Sequence, residues 1–209
     1  MNLLPDFIKK DRYLKSKKLL REANIARKRA WLIANFSVLN LNNDFHGAIE
    51  AAQHCFELSL KALWILYGFE YPRDHNPAKD LDNLLERMFT VFPELKDYPI
   101  FEKWITWVKA KGPFIKKLHE SSIYGDEKKM IYASDLFSEE KMFEFLDDAE
   151  LSYQMSLKPI RIIGDRLELL TEKEKKELDF SREFVKYLIR IPGGHEILKK
   201  ISNKKFKNK

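Results

Sequence analysis

The chain has 209 residues, of which 44% are hydrophobic and 33% charged, with a formal net charge of +6. That balance supports a packed core in one or two domains and excludes a disordered chain. Seven Gly, eight Pro and a single Cys exclude collagen-like and glycine-punctuated β architectures, a disulfide framework and a multi-thiolate zinc site.

The charge is unevenly spread. Lys9 to Arg29 holds ten basic and two acidic side chains, and Glu196 to Lys209 holds six Lys and one Glu, so the middle is net acidic. Basic ends can track phosphates or an anionic surface, although Lys-rich helix faces and tails also serve as plain solubilising surface. The opening Met1-Asn2-Leu3-Leu4-Pro5-Asp6 lacks the apolar stretch of a signal peptide. The longest apolar run, near Ala62–Phe69, is too short to span a bilayer. With Cys55 read as a reduced, packed thiol, a cytoplasmic location without membrane association is expected.

The periodicity is helical nearly throughout. The first helix is expected from about Leu14 to Leu39, with an inward stripe of small residues at Leu19, Ala23, Ala26, Ala30, Ile33 and Ser37. Asn40-Leu41-Asn42-Asn43 breaks it, and Asp44 is an N-cap for a second helix, about Phe45 to Tyr67. Phe45, Ile49, Ala52, Phe56, Leu60, Leu63 and Tyr67 form its apolar face, and Gly68 sits where a C-cap glycine belongs. A third helix is expected over about Ala78 to Phe92. A fourth starts near Ile100, with Trp104 and Val108 inward and Trp107 on another face, and Gly112-Pro113 breaks it.

Residues 121–136 read as an irregular excursion. Ser138 with Glu139 and Glu140 then opens a fifth helix through Met142, Phe145, Leu146, Ala149 and Tyr153 to Pro159. Beyond Pro159 the run Ile160-Arg161-Ile162-Ile163-Gly164 fits either a short strand or a kinked continuation. An amphipathic helix from Thr171 to about Ile191 precedes Pro192-Gly193-Gly194. The expected class is all-α: an antiparallel up-and-down helical bundle over 1–158, with a helical extension and basic tail over 159–209.

The second helix carries a polar face of His46, Glu50, Gln53, His54, Glu57 and Lys61. Glu57 and Lys61 are an i,i+4 pair in the favourable order. Such a face is either a solvated stripe or a site where Lys61 meets an anion and Gln53 a base edge. His46, Glu50 and His54 are spread over two turns and do not converge on a metal, so no metal site is expected. Arg73-Asp74-His75 in the following loop and the interleaved Lys103, Trp104, Trp107 and Lys109 are the other groupings with binding chemistry.

The string Ala48-Ile49-Glu50-Ala51-Ala52-Gln53-His54-Cys55-Phe56-Glu57-Leu58-Ser59-Leu60-Lys61-Ala62, followed by His75, then Leu81, Leu84 and Leu85, resembles the HEPN family of helical bundles over about Leu14 to Met155. A Tyr-containing turn, here Ser122-Ile123-Tyr124-Gly125-Asp126, adds to the resemblance. The resemblance implies a homodimer that binds RNA or nucleotide without a cofactor, with a nucleotidyltransferase as a further partner in a toxin–antitoxin-like system. The candidate ligand contacts, taken from the polar face of the second helix and the loop after it, are Gln53, Glu57, Lys61, Arg73 and His75.

Many members of the family are metal-independent ribonucleases that use an Arg and, four to six residues later, a His near the start of the last core helix. An Arg there would grip phosphate, and a His would move the proton of the 2′-hydroxyl or of the leaving oxygen. This chain has no such pair at the expected place. Arg190 and His195 have the spacing, but Pro192-Gly193-Gly194 between them denies the helical geometry. The expected activity is therefore binding. The alternatives are a ribonuclease with a displaced site drawn from His75, His119 and Tyr124 with Arg73, and a purely structural dimerisation subunit.

Overall fold

The structure, a computed structural model, describes residues 4–39, 45–73, 76–97, 99–115, 117, 120 and 129–171. Those residues form six α-helices: α1 Lys10–Leu39, α2 Phe45–Leu66, α3 Leu81–Val91, α4 Pro99–Lys111, α5 Ala133–Leu136 and α6 Glu139–Arg166. Short 3-10 turns at Pro93–Asp97 and Gly112–Phe114 follow α3 and α4. No β-strand is present among the described residues, and no helix among them is long and apolar enough to cross a membrane.

Three long helices make the core: α2 packs on both α1 and α6, and α1 also packs on α6. The sequence of α2 explains its central place. Its bulky face, with Phe56, Leu60 and Leu63, is buried, and so are the small residues Ala48, Ala51, Ala52, Ser59 and Ala62 on its other sides. Small residues let neighbouring backbones approach, and Ser156 on α6 donates its hydroxyl hydrogen bond to the Ser59 carbonyl at 2.9 Å. The partner face of α1 is equally small: Ser16, Ala23, Ala26, Ala30, Ala34 and Ser37 are all buried, together with Tyr13 and Leu20. The expected stripe is thus rotated slightly. Leu20 and Ala34 point inward where Leu19 and Ile33 were expected, and those two are half-buried.

Local signals set the ends. Gly68 adopts φ of 85°, and the Phe69 N–H reaches back to the Trp64 carbonyl at 2.9 Å, closing α2 as a glycine C-cap does. The Ser138 hydroxyl accepts from the Lys141 N–H at 3.2 Å and caps α6. α3 begins at Leu81, three residues later than expected, after a turn in which Asn76 Oδ1 accepts from the Ala78 N–H.

α6 continues through Pro159 to Arg166, so Ile160–Gly164 is helix and not strand. The chain then folds back, with the Leu169 N–H on the Gly164 carbonyl at 2.9 Å, and sets Leu170 over Gly164 beside Tyr13 of α1. The Asp44 cap and the amphipathic segment after Thr171 lie outside the described residues.

Candidate nucleic-acid interface

With one side of α1 packed on α2 and α6, the opposite side is left to solvent. From Leu14 on, its exposed positions are Leu14, Lys15, Lys18, Arg21, Glu22, Ile25, Lys28, Arg29, Leu32, Asn35, Phe36 and Leu39. They recur at threes and fours and form one continuous stripe. The stripe has two zones. From Lys15 to Arg29 it carries five cations against the single Glu22, and from Leu32 to Leu39 it is apolar apart from Asn35.

The basic segment therefore does not act as a single surface. Arg27 points to the other side, where Nη1 meets Glu150 of α6 at 2.7 Å and the guanidinium lies 4.7 Å from the Tyr153 ring centre. Arg12 donates to the Phe7 carbonyl at 2.9 Å, and Lys17 lies over the Tyr13 ring. The outer-stripe cations from Lys15 on are spread over its length, Lys15, Lys18 and Arg21 in one group and Lys28 and Arg29 in another, which suits a polyanion and not a point charge.

Behind that surface lies a polar seam. Burial works against the charge of Arg27, but the Glu150 carboxylate outweighs it and holds the guanidinium above its ordinary pKa. Gln154 Nε2 adds a 2.8 Å hydrogen bond to the second Glu150 oxygen. Burial pushes the Cys55 thiol and the Tyr153 phenol up to about 12 each. Neither is a nucleophile in this state, and the seam serves as a positioned ion pair.

A second ionic group joins α4 to α6. Lys111 bridges Glu144 and Asp148, and Lys141 reaches Glu144 at 2.6 Å. Burial raises the Asp148 carboxyl to about 6 despite Lys111. Trp107 is buried here too, edge-on to Phe56 at 5.4 Å, and not on a free face. With Trp104 also buried, the interleaved Trp and Lys residues of α4 offer no stacking platform.

The residues expected to bind ligand on α2 are partly brought together. Lys61 Nζ is 2.8 Å from Glu57 and 5.4 Å from the Tyr71 ring centre, and both members of the ion pair are half-buried. Gln53 is on the same helix but only 2% exposed. Arg73 is exposed in the loop two residues beyond Tyr71. His75, His119, Tyr124 and the Arg190 to His195 string lie outside the described residues. Between α1 and α2 runs an open groove of about 400 Å³ lined by Glu22, Ile25, Arg29, Glu50 and His54. Among the described residues no three His, Cys, Asp or Glu side chains could share a metal ion.

The pairings Arg27 with Glu150 and Lys111 with Asp148 escape sequence reading, because no spacing rule links residues so far apart. Only the placing of Arg27 within the small-residue stripe hints that it faces inward.

Residues 16–158 match the family model of the HEPN domain. No curated protein and no solved structure matches the chain.

Proposed function

The chain belongs to the HEPN domain family, and from that premise we propose that it is a binding module for RNA or nucleotide and not a nuclease. The observation that carries the reading is the basic zone of α1, where Lys15, Lys18, Arg21, Lys28 and Arg29 are exposed on one side of a single helix. Those fourteen residue steps span about 21 Å at the α-helical rise. A rigid row of cations over that length follows a phosphate backbone without reading sequence.

The loop end of α2 is the second contact region. Lys61 and Arg73 take a phosphate, the Tyr71 ring beside Lys61 offers a stacking face, and Glu57 positions the Lys61 side chain. His75 belongs to the same loop. The module works as a cytoplasmic homodimer, and the family resemblance adds a nucleotidyltransferase as its further partner. The single buried thiol, Cys55, fits a reducing compartment.

The test is fluorescence anisotropy with labelled single-stranded RNA over a salt series in EDTA, with a gel for cleavage. Five phosphate contacts predict a slope of log affinity on log salt of roughly −3.5. Replacing Lys15, Lys18 and Arg21 by Gln removes about two units of that slope. Lys61→Gln and Arg73→Gln each weaken a mononucleotide more than they weaken the RNA. RNA cleavage in EDTA that is lost in His75→Ala or His119→Ala overturns the binding reading in favour of a displaced ribonuclease. Neither binding nor cleavage leaves the structural subunit.

A further inference from the structure

The apolar side chains that run from Ile25 to Leu39 on the outer α1 face have no role in the polyanion reading. Ile25 is 61% exposed, Leu32 70%, Phe36 61% and Leu39 82%. Ile25, Leu32 and Leu39 are seven residues apart, so they form one row along the helix, the spacing by which two helices pack along a seam. We infer that this row pairs with the same row of a second copy, antiparallel and centred on Leu32, so that Lys15, Lys18 and Arg21 of each copy project from opposite ends of one seam. The inference rests on the homodimer and RNA reading above and specifies its geometry.

Charge selects the orientation. In a parallel pair, Lys15, Lys18, Arg21, Lys28 and Arg29 would each face their own counterparts, and like charges in register are unfavourable. In an antiparallel pair about Leu32, position i meets position 64 minus i. Ile25 then faces the second copy's Leu39, Lys28 lays its stem on Phe36, and Arg29 faces Asn35. Lys15, Lys18 and Arg21 fall beyond the end of the opposing helix and meet no cation from it.

Area sets what else the seam must cover. The four apolar side chains bring roughly 500 Å² per copy, whereas a standard interface needs about 800 Å² on each side. The stems of Lys28 and Arg29, together with the groove beside Ile25, supply further surface. That groove is lined by Glu22, Ile25 and Arg29 of α1 and by Glu50 and His54 of α2. In this register the second copy's Leu39 arrives next to it. A closed two-fold seam of this kind buries the apolar zone of both copies at once.

The arrangement has a consequence for the ligand. Lys15 of one copy and Lys15 of the other are about 51 Å apart along the seam, from 34 helical residue steps. An RNA long enough to reach both basic zones gains a second, intramolecular contact, and a short one does not.

The experiment uses the full chain. Sedimentation velocity of the wild type is expected to show a dimer whose melting temperature rises with protein concentration, and Leu32→Glu a monomer that still unfolds cooperatively, at a temperature independent of concentration, because Leu32 is on the surface of the fold. Disulfide trapping then reads the register. Leu32→Cys cross-links to itself under mild oxidant. Ile25→Cys alone does not, but a mixture of Ile25→Cys and Leu39→Cys does. The native Cys55 is buried and does not compete. A monomeric wild type, a dimer that persists in Leu32→Glu, or self-cross-linking of Ile25→Cys overturns the proposal. So does a monomer whose Leu32→Cys thiol is shielded, which would place a segment of the same chain over the row. The RNA reading is separable: a Leu32→Glu monomer that binds short RNA with the wild-type salt slope leaves it standing, and a trapped dimer that binds no RNA removes it while the seam stands.

Discussion

Arg27 and Glu150 are 123 positions apart in the chain and 2.7 Å apart in the fold, where they lock α1 to α6. Their side chains are only 23% and 13% exposed. Arg27 Nε and Nη2 also hold Asn24 Oδ1, at 3.2 and 3.0 Å, so the guanidinium is fixed on two sides. A desolvated pair gains little over a well-packed apolar pair, but breaking it leaves an uncompensated charge.

Arg27→Met is therefore expected to cost about 2–4 kcal/mol in urea unfolding, since it strands Glu150. The double variant Arg27→Met with Glu150→Leu should lose much less stability than the sum of the two single losses. Strictly additive losses would mean that the pair is solvated and contributes little.

At Gly164, α6 lies directly against Tyr13 of α1. A Cβ there would collide with the Tyr13 hydroxyl and come within 2.8 Å of Leu170 Cδ2. Tyr13 is 0% exposed and cannot swing out. Gly164→Ala is expected to destabilise by roughly 1–3 kcal/mol through overpacking. Adding Tyr13→Phe removes the atom nearest the clash and should recover part of that loss. A Gly164→Ala melting curve that overlays the wild type would show that the return of the chain to Tyr13 is loose.

The Asp148 carboxyl gives the fold a pH dependence of definite sign. Burial raises its pKa from 3.8 to about 6. The folded protein therefore binds this proton more tightly than the unfolded one. The contribution is fully present below about pH 4 and is lost as the pH rises through about 6. Glu144 runs the other way: burial opposes its charge, but Lys111 and Lys141 outweigh burial and hold its pKa down. Its stabilisation is lost as the pH falls. Asp148→Asn should remove the loss of stability between about pH 4 and 6 that the wild type shows, leaving the acid-side loss. Identical pH profiles in chemical unfolding would contradict this.

Cys55 should be silent in the native state. It is 0% exposed, its Sγ lies 3.7 Å from the Ala149 carbonyl, and burial pushes its pKa up to about 12. A thiol reagent at neutral pH is expected to label it at the rate of unfolding and not at the rate of the free thiol. Fast labelling of the folded chain would mean that α2 and α6 separate at this level.

Several parts of the molecule are legible from residue order alone because they rest on local physics. The 3.6-residue period gives the helices, Ser138 the start of α6, Gly68 the end of α2, and Gly112-Pro113 the end of α4. The all-α class and the family resemblance follow from the same local strings, and the resemblance is matched over residues 16–158. The small deviations are instructive. Leu20 and Ala34 replaced Leu19 and Ile33 on the inner face of α1 because α1 packs on two helices, α2 and α6, and its buried face is set between them. Trp107 reads as off the core by spacing on α4 alone, but α2 and α6 meet α4 there and Phe56 closes over it.

What the tertiary structure alone decides is how a charged segment is divided. Composition marks Lys9 to Arg29 as strongly basic, and periodicity makes it helical. Neither says that Arg27 is spent on Glu150 while Lys15, Lys18, Arg21, Lys28 and Arg29 remain outward. The same holds for Lys111, claimed by Asp148 and Glu144. Helix propensity and capping act over a few residues, so the sequence displays them directly. Desolvation and ion pairing depend on which helix faces which, and that is fixed only when the small faces of α1, α2 and α6 have closed on one another.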